Sequence, residues 1–199
     1  MKKKIIKIGI TGGIGSGKSL ASNYLMSKGF YVIFADKIAK KLYKENKLLL
    51  KKLILEFGNG ILDENGNLSI PNARKIIFSS KKNIKRVNNI VHPFVFKEFD
   101  RLIKKTKKNV IFVEAAIMFE TGSYKNYDYI LLIYANKENR IKRIMKRDNV
   151  SRKYAEKIIN LQMDENLKAK KADFVIKNNY SINELYNNLD GFIKIIKKL

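Results

Sequence analysis

One stretch limits the fold more than any other. Gly12-Gly13-Ile14-Gly15-Ser16-Gly17-Lys18-Ser19 fits G-x-x-x-x-G-K-[ST] in full. An apolar, β-rich run at residues 4–10 precedes it, and a helical pattern from Lys18 to Lys28 follows, stopped by Gly29. Glycines let successive backbone N–H groups turn inward around an anion. The helix presents its positive end to the same anion. Lys18 then reaches the β- and γ-phosphates of a nucleotide, and the Ser19 hydroxyl is placed to ligate Mg²⁺. Leu20 stands where a second hydroxyl residue is frequent, but the metal ligand itself is present. Residues 12–20 are therefore the expected site for ATP or GTP.

The next strand, "YVIFA" at 31–35, ends at Asp36, so the chain opens β-loop-α-β. That order is typical of a parallel α/β sheet. Further strands are expected at 109–115, 127–135 and 173–178. Helices are expected at 137–148, 151–161 and 181–198. Between the second and third strands the pattern is helical over 37–57, turn-rich over 58–69, and helical again over 71–106 with a break near Pro93. The expected fold is a P-loop NTPase, a three-layer α/β/α domain on a parallel sheet. Its core would take 1–36, 108–136 and 172–199, with a helical insert over 37–107.

Composition narrows the partners. The 199 residues suggest one domain. There is no cysteine, which excludes disulfides and thiolate metal sites. The longest apolar runs fall well short of the ~20 residues of a membrane helix, so a cytoplasmic protein is expected. The formal charge of +24 would suit nucleic acid. However, 35 lysines are spread over nearly every segment against 7 arginines, with no arginine-rich arm. That distribution favours compositional bias over a dedicated nucleic-acid surface. Where such a chain keeps arginine, the planar fork suits phosphate.

Three classes use such a loop: GTPase switches, mechanical ATPases and small-molecule kinases. "NKEN" at 136–139 begins like the guanine-reading N-K-x-D, but Asn139 lacks the carboxylate that guanine requires. A mechanical ATPase usually needs a larger chain. A kinase of a small metabolite is the economical reading; a kinase of nucleosides or nucleotides is the runner-up, and a nucleic-acid-binding NTPase is the alternative from another class.

Several segments together resemble the dephospho-CoA kinases. They are "ITGGIGSGKS", "VIFAD", His92-Pro93, "EAAIMFE" at 114–120, "RIMKRDNVSR" at 143–152 and Gln162, in that family's order and spacing over about residues 5–178. The resemblance implies transfer of the γ-phosphoryl of ATP, with Mg²⁺, to the ribose 3′-hydroxyl of dephospho-CoA. It implies that the insert over 37–107 is a helical substrate region and that 137–165 is a lid. With dephospho-CoA as the small-molecule partner, no dedicated nucleic acid and no membrane are expected, and a monomer is expected. Asp36 would orient the acceptor hydroxyl and take its proton; as the residue opening a helix it equally suits an N-cap. Phe34 stands where the family often has an earlier Asp. Arg140, Arg143, Arg147 and Arg152 fall within thirteen residues, the first three on one helical face. The resemblance implies that Arg143 and Arg147 close over the phosphates. It places Arg74 and His92 at the substrate, although a lone His before Pro also reads as structural. Glu114 and Glu120 remain in "EAAIMFE" while Ala116 replaces the usual proline. Either glutamate could reach Mg²⁺ through water, or simply end a core strand.

Overall fold

The computed structural model describes residues 5–77 and 79–198, without the side chains of Arg74 and Lys81. In chain order the elements are β1 (Ile6–Thr11), α1 (Lys18–Ser27), β2 (Tyr31–Phe34), α2 (Ala35–Glu45), α3 (Lys47–Phe57), α4 (Ile70–Ile77) and α5 (Lys81–Lys105). They continue as β3 (Val110–Glu114), β4 (Tyr129–Tyr134), α6 (Lys137–Asp148), α7 (Arg152–Asn160), α8 (Glu165–Ala169), β5 (Phe174–Lys177) and α9 (Ile182–Ile196). The chain divides into two compact units, residues 1–34 with 107–199, and residues 35–106.

The first unit is a parallel five-stranded sheet in the order β2-β3-β1-β4-β5, with helices on both faces. Strands covered on both sides read as continuous apolar runs rather than alternating ones. β3 and β4 do so, and Ile111, Phe112, Leu131, Leu132 and Ile133 are fully buried. One core joins Ile8, Ile10, Phe112 and Leu131 to Leu185, Leu189, Phe192 and Ile193 of α9, and to Ala21 and Leu25 of α1. Leu20 packs against this core, so a hydroxyl residue there has been exchanged for sheet contact. α1 ends in a Schellman motif. Gly29 at φ 85° donates to Met26 O, and Phe30 N donates to Leu25 O at 3.1 Å. The chain thereby turns directly into β2.

The second unit is helical, and one sequence expectation, a break at Pro93, fails in it. The 37–57 pattern is two helices, because the Asn46 side chain accepts from Leu49 N at 2.9 Å and caps α3. An Asn offers the backbone a partner that competes with helix continuation. Conversely, α5 runs unbroken through Pro93. Val87, Val91, Val95 and Phe99, at a spacing of four on either side of Pro93, are all buried. An interior proline costs ~3 kcal/mol. Burying four such side chains contributes about 1.5–3 kcal/mol each, so the stripe outweighs the proline.

Candidate active site

β1 lies at the centre of the sheet with β3 on one side and β4 on the other. Chain connections leave in opposite directions at the β1–β3 boundary, and open α/β sheets bind ligands at such a point. The glycine loop leaves the carboxyl end of β1 there. Glu114 pairs in register with Ile10 and ends β3 at the same level.

Three side chains converge at this spot. Lys18 Nζ lies 3.0 Å from Glu114 Oε1, and Ser19 Oγ donates to the same oxygen at 3.0 Å. Glu114 is buried, and its Oε2 has no hydrogen-bond partner among the described residues. The loop's lysine and the adjacent hydroxyl are thus held together by one carboxylate. Glu114, rather than Glu120, occupies this position. Glu120 instead accepts from Met163 N at 3.0 Å and pairs with Lys168.

The loop is braced from behind. Ile14 N donates to Gln162 Oε1 at 2.7 Å, and Arg140 Nε donates to Ile14 O at 2.8 Å. Asn178 Nδ2 donates to Ser16 O at 2.7 Å. Arg143 Nη1 reaches the carbonyls of Gly15 and Ser16 at 3.3 and 3.4 Å, while its Nη2 donates to Asn178 O at 2.9 Å. The carbonyls of Ile14, Gly15 and Ser16 are thereby held by side chains, while Ile14 N is taken by Gln162 and Ser16 N by Gly13 O at 3.0 Å. Gly17 shows why glycine is needed. Its φ is 91°, and a Cβ there would collide with the Asn178 amide.

Residues 12–15, 17–20, Ala116, Arg143, Arg147 and Gln162 line a cleft of about 460 Å³. Arg147 is exposed and holds Asp148 through two bonds of 2.7 Å. That exposed ion pair is worth little and is easily exchanged for phosphate. Arg140 is buried and serves the loop instead. Arg152 grips Glu138 and Glu156, tying α6 to α7. The arginines that look alike in sequence therefore do three different jobs.

Asp36, Arg74 and His92 belong to the other unit. Asp36 lies inside the first turn of α2, one residue past the helix start, so it is not the N-cap. It still favours the positive helix end. Burial, and then the Asp36 charge, push the Tyr43 phenol up. His92 is half-buried, with its ring edge-to-face with Phe96 at 5.7 Å, and burial pushes its imidazole below the usual 6.5. The side chain of Arg74 lies outside the described residues.

Asn178 and the pair Glu165 and Lys168 escaped sequence reasoning. Asn178 follows the last strand without a motif, and nothing separates one buried lysine from 34 others.

Among the described residues, no helix is long and apolar enough to cross a membrane. A sequence profile for dephospho-CoA kinase matches residues 6–184. A dephospho-CoA kinase of Fusobacterium nucleatum is 41% identical over 96% of this chain and 99% of its own. The crystal structure of TT1252 from Thermus thermophilus superposes with a TM-score of 0.84 at 30% identity, covering 96% of this chain and 98% of that one. A dephospho-CoA kinase from Campylobacter jejuni gives 0.68 at 34% identity, covering 96% and 97%.

Proposed function

The chain belongs to the dephospho-CoA kinase family, and from that premise we propose that it transfers the γ-phosphoryl of ATP to the ribose 3′-hydroxyl of dephospho-CoA. The observation that carries this is the convergence of Lys18 and Ser19 on Glu114 beside a braced glycine loop.

In this reading residues 12–20 hold the ATP phosphates. Phosphate oxygens take over the Lys18 ammonium from Glu114. Arg143, anchored on the loop carbonyls, and Arg147, free to leave Asp148, stabilise charge on the moving group. Asp36 orients the acceptor hydroxyl and takes its proton as that oxygen bonds to the γ-phosphorus. The bond from the γ-phosphorus to the bridging oxygen of ADP breaks in the same displacement. Arg74 and His92 contact the acceptor from residues 37–107, and residues 137–165 act as the lid that excludes water.

Ser19 Oγ, with the unpartnered Glu114 Oε2 nearby, fits Mg²⁺, which keeps several waters and needs few protein ligands. Bound there, the cation would neutralise charge on the β- and γ-phosphates. We place this work in the cytoplasm, by a monomer.

The test is purified protein with ATP, Mg²⁺ and a panel of acceptors. ADP and coenzyme A should form from dephospho-CoA in preference to nucleosides and nucleotides. Turnover of a nucleoside, with dephospho-CoA ignored, would replace the reading by that of a nucleoside kinase.

A further inference from the structure

Residues 164–169 form a single short turn of helix. Asp164 caps it by accepting from Asn166 N and Leu167 N. Three-residue spacing puts Glu165 and Lys168 on one face, and that face points inward. Lys168 is 0% exposed, Glu165 5% and Arg140 3%. A fully buried ammonium is rare and is tolerated only with a partner.

The partners form an alternating row. Lys168 Nζ lies 2.9 Å from Glu120 Oε1 and 3.5 Å from Glu165 Oε1, and Glu165 Oε1 lies 3.7 Å from Arg140 Nη1. Neither the Lys168 ammonium nor the Glu165 oxygens reach hydrogen-bond geometry with a described residue. The row is held by charge rather than by directed bonds. Burial pushes the Glu165 carboxyl up, and Lys168, Arg140 and the Gly13 backbone oppose it.

Its far end is the phosphate loop. Arg140 holds Ile14 O directly and shares Gln162 Oε1 with Ile14 N. A Cβ on Gly13 would collide with the Arg140 guanidinium and lie 2.7 Å from Glu165 Oε1. The general loop pattern leaves the residue after its first glycine unspecified. Here a larger residue at that position would displace the Arg140 and Glu165 side chains.

We propose that Glu165 and Lys168 are positioning residues for the phosphate loop, acting through Arg140 on the Gly13–Ile14 peptide to set the loop's affinity for a nucleoside triphosphate. Glu165 fixes the Arg140 fork. Lys168 cancels a carboxylate that would otherwise face a polyanion across one residue of loop. The inference rests on the ATP-binding reading above and adds how that affinity is set.

The experiment compares Lys168→Met with the double variant Lys168→Met/Glu165→Gln. Folding is checked by thermal unfolding, ATP affinity by calorimetric titration, and both KM values by steady-state kinetics. Lys168→Met should weaken ATP binding about tenfold and raise the ATP KM alike, with the dephospho-CoA KM within about twofold. The double variant should return to within about threefold of the parent, since both charges leave together. Folded Lys168→Met with unchanged ATP affinity overturns the proposal, as does a double variant no better than the single. If Lys168→Met does not fold, Glu120→Gln at the half-open end of the row decides. With Lys168 then left wholly to Glu165, about threefold tighter ATP binding with an unchanged acceptor KM supports the proposal, and unchanged or weaker binding overturns it. A parent protein that binds no ATP would instead sink the donor assignment.

Discussion

The two units are held in different ways. Within residues 35–106 the ion pair of Arg86 with Glu56 joins distant segments, and several side-chain hydrogen bonds are local: Asn46 caps Leu49, Asp63 braces Asn65 and Asn67, Asn72 reaches Leu62, and Asn83 reaches Ile76. None of these hydrogen bonds spans more than ten residues. In the sheet unit Ile14 binds Gln162, 148 residues away, and Tyr24 binds Asp190, 166 residues away. Local contacts form and open cheaply, whereas distant ones exist only once the whole unit has folded. The half proposed to receive the acceptor is held mainly by its buried apolar stripe and short-range polar contacts. The half proposed to hold the donor ties its loop to residues far along the chain, Gln162 of the proposed lid among them.

The sharpest break of the sheet unit is Lys18→Met. Turnover should fall by about a thousandfold in kcat/KM, measured at a temperature where the variant is folded, since the buried Glu114 loses its partner. A loss below about tenfold would show that Glu114 and the braced loop bind the phosphates without the ammonium. On the helical side, Phe99→Ala should cost about 3 kcal/mol by opening a cavity beside the Val91 and Val95 stripe. Hydrogen exchange should then speed up in α3 and α5 while β1, β3 and β4 keep their protection. Uniform acceleration would erase the contrast between the units. Asp36→Asn should lower kcat by about a hundredfold, leaving the ATP KM in place. If the ATP KM rises instead, Asp36 acts on the donor.

The smallest effect concerns His92. Its folded pKa lies below the usual 6.5, so the unfolded chain binds more protons between the two values. The stability it adds is complete above about pH 6.5 and is lost as pH falls through the folded value. As the only histidine, it gives a single imidazole signal to titrate by NMR. A midpoint at or above 6.5 would contradict the half-buried placement.

Much of this was legible in the sequence, and the reason differs by element. The strands were found because parallel strands buried on both faces are simply apolar runs, as "YILLIY" of β4 shows. The glycine loop was found because its chemistry dictates residue type one position at a time. α5 was misjudged at Pro93 because a local rule was applied where four buried side chains decide. α8 was not anticipated at all, since five residues carry no readable period and its inward face is the charged one. In the site, residue types announced Lys18 and Ser19. The family resemblance set Arg143 and Arg147 apart from Arg140, but helical spacing alone did not, because adjacent turns of one helix give equal signals and only packing shows that Arg140 serves the loop from behind.

The sheet has a further consequence for handling the protein. Its outermost strands, β2 and β5, have four residues each, against six in β1 and β4. A growing fibril needs a long, flat, uncharged edge to copy. Here the rims are short and β5 ends in Lys177. With a net charge of +24, molecules repel one another before such rims can meet. Concentrated preparations should therefore tolerate low salt, with precipitation expected first where added polyanions cancel that charge.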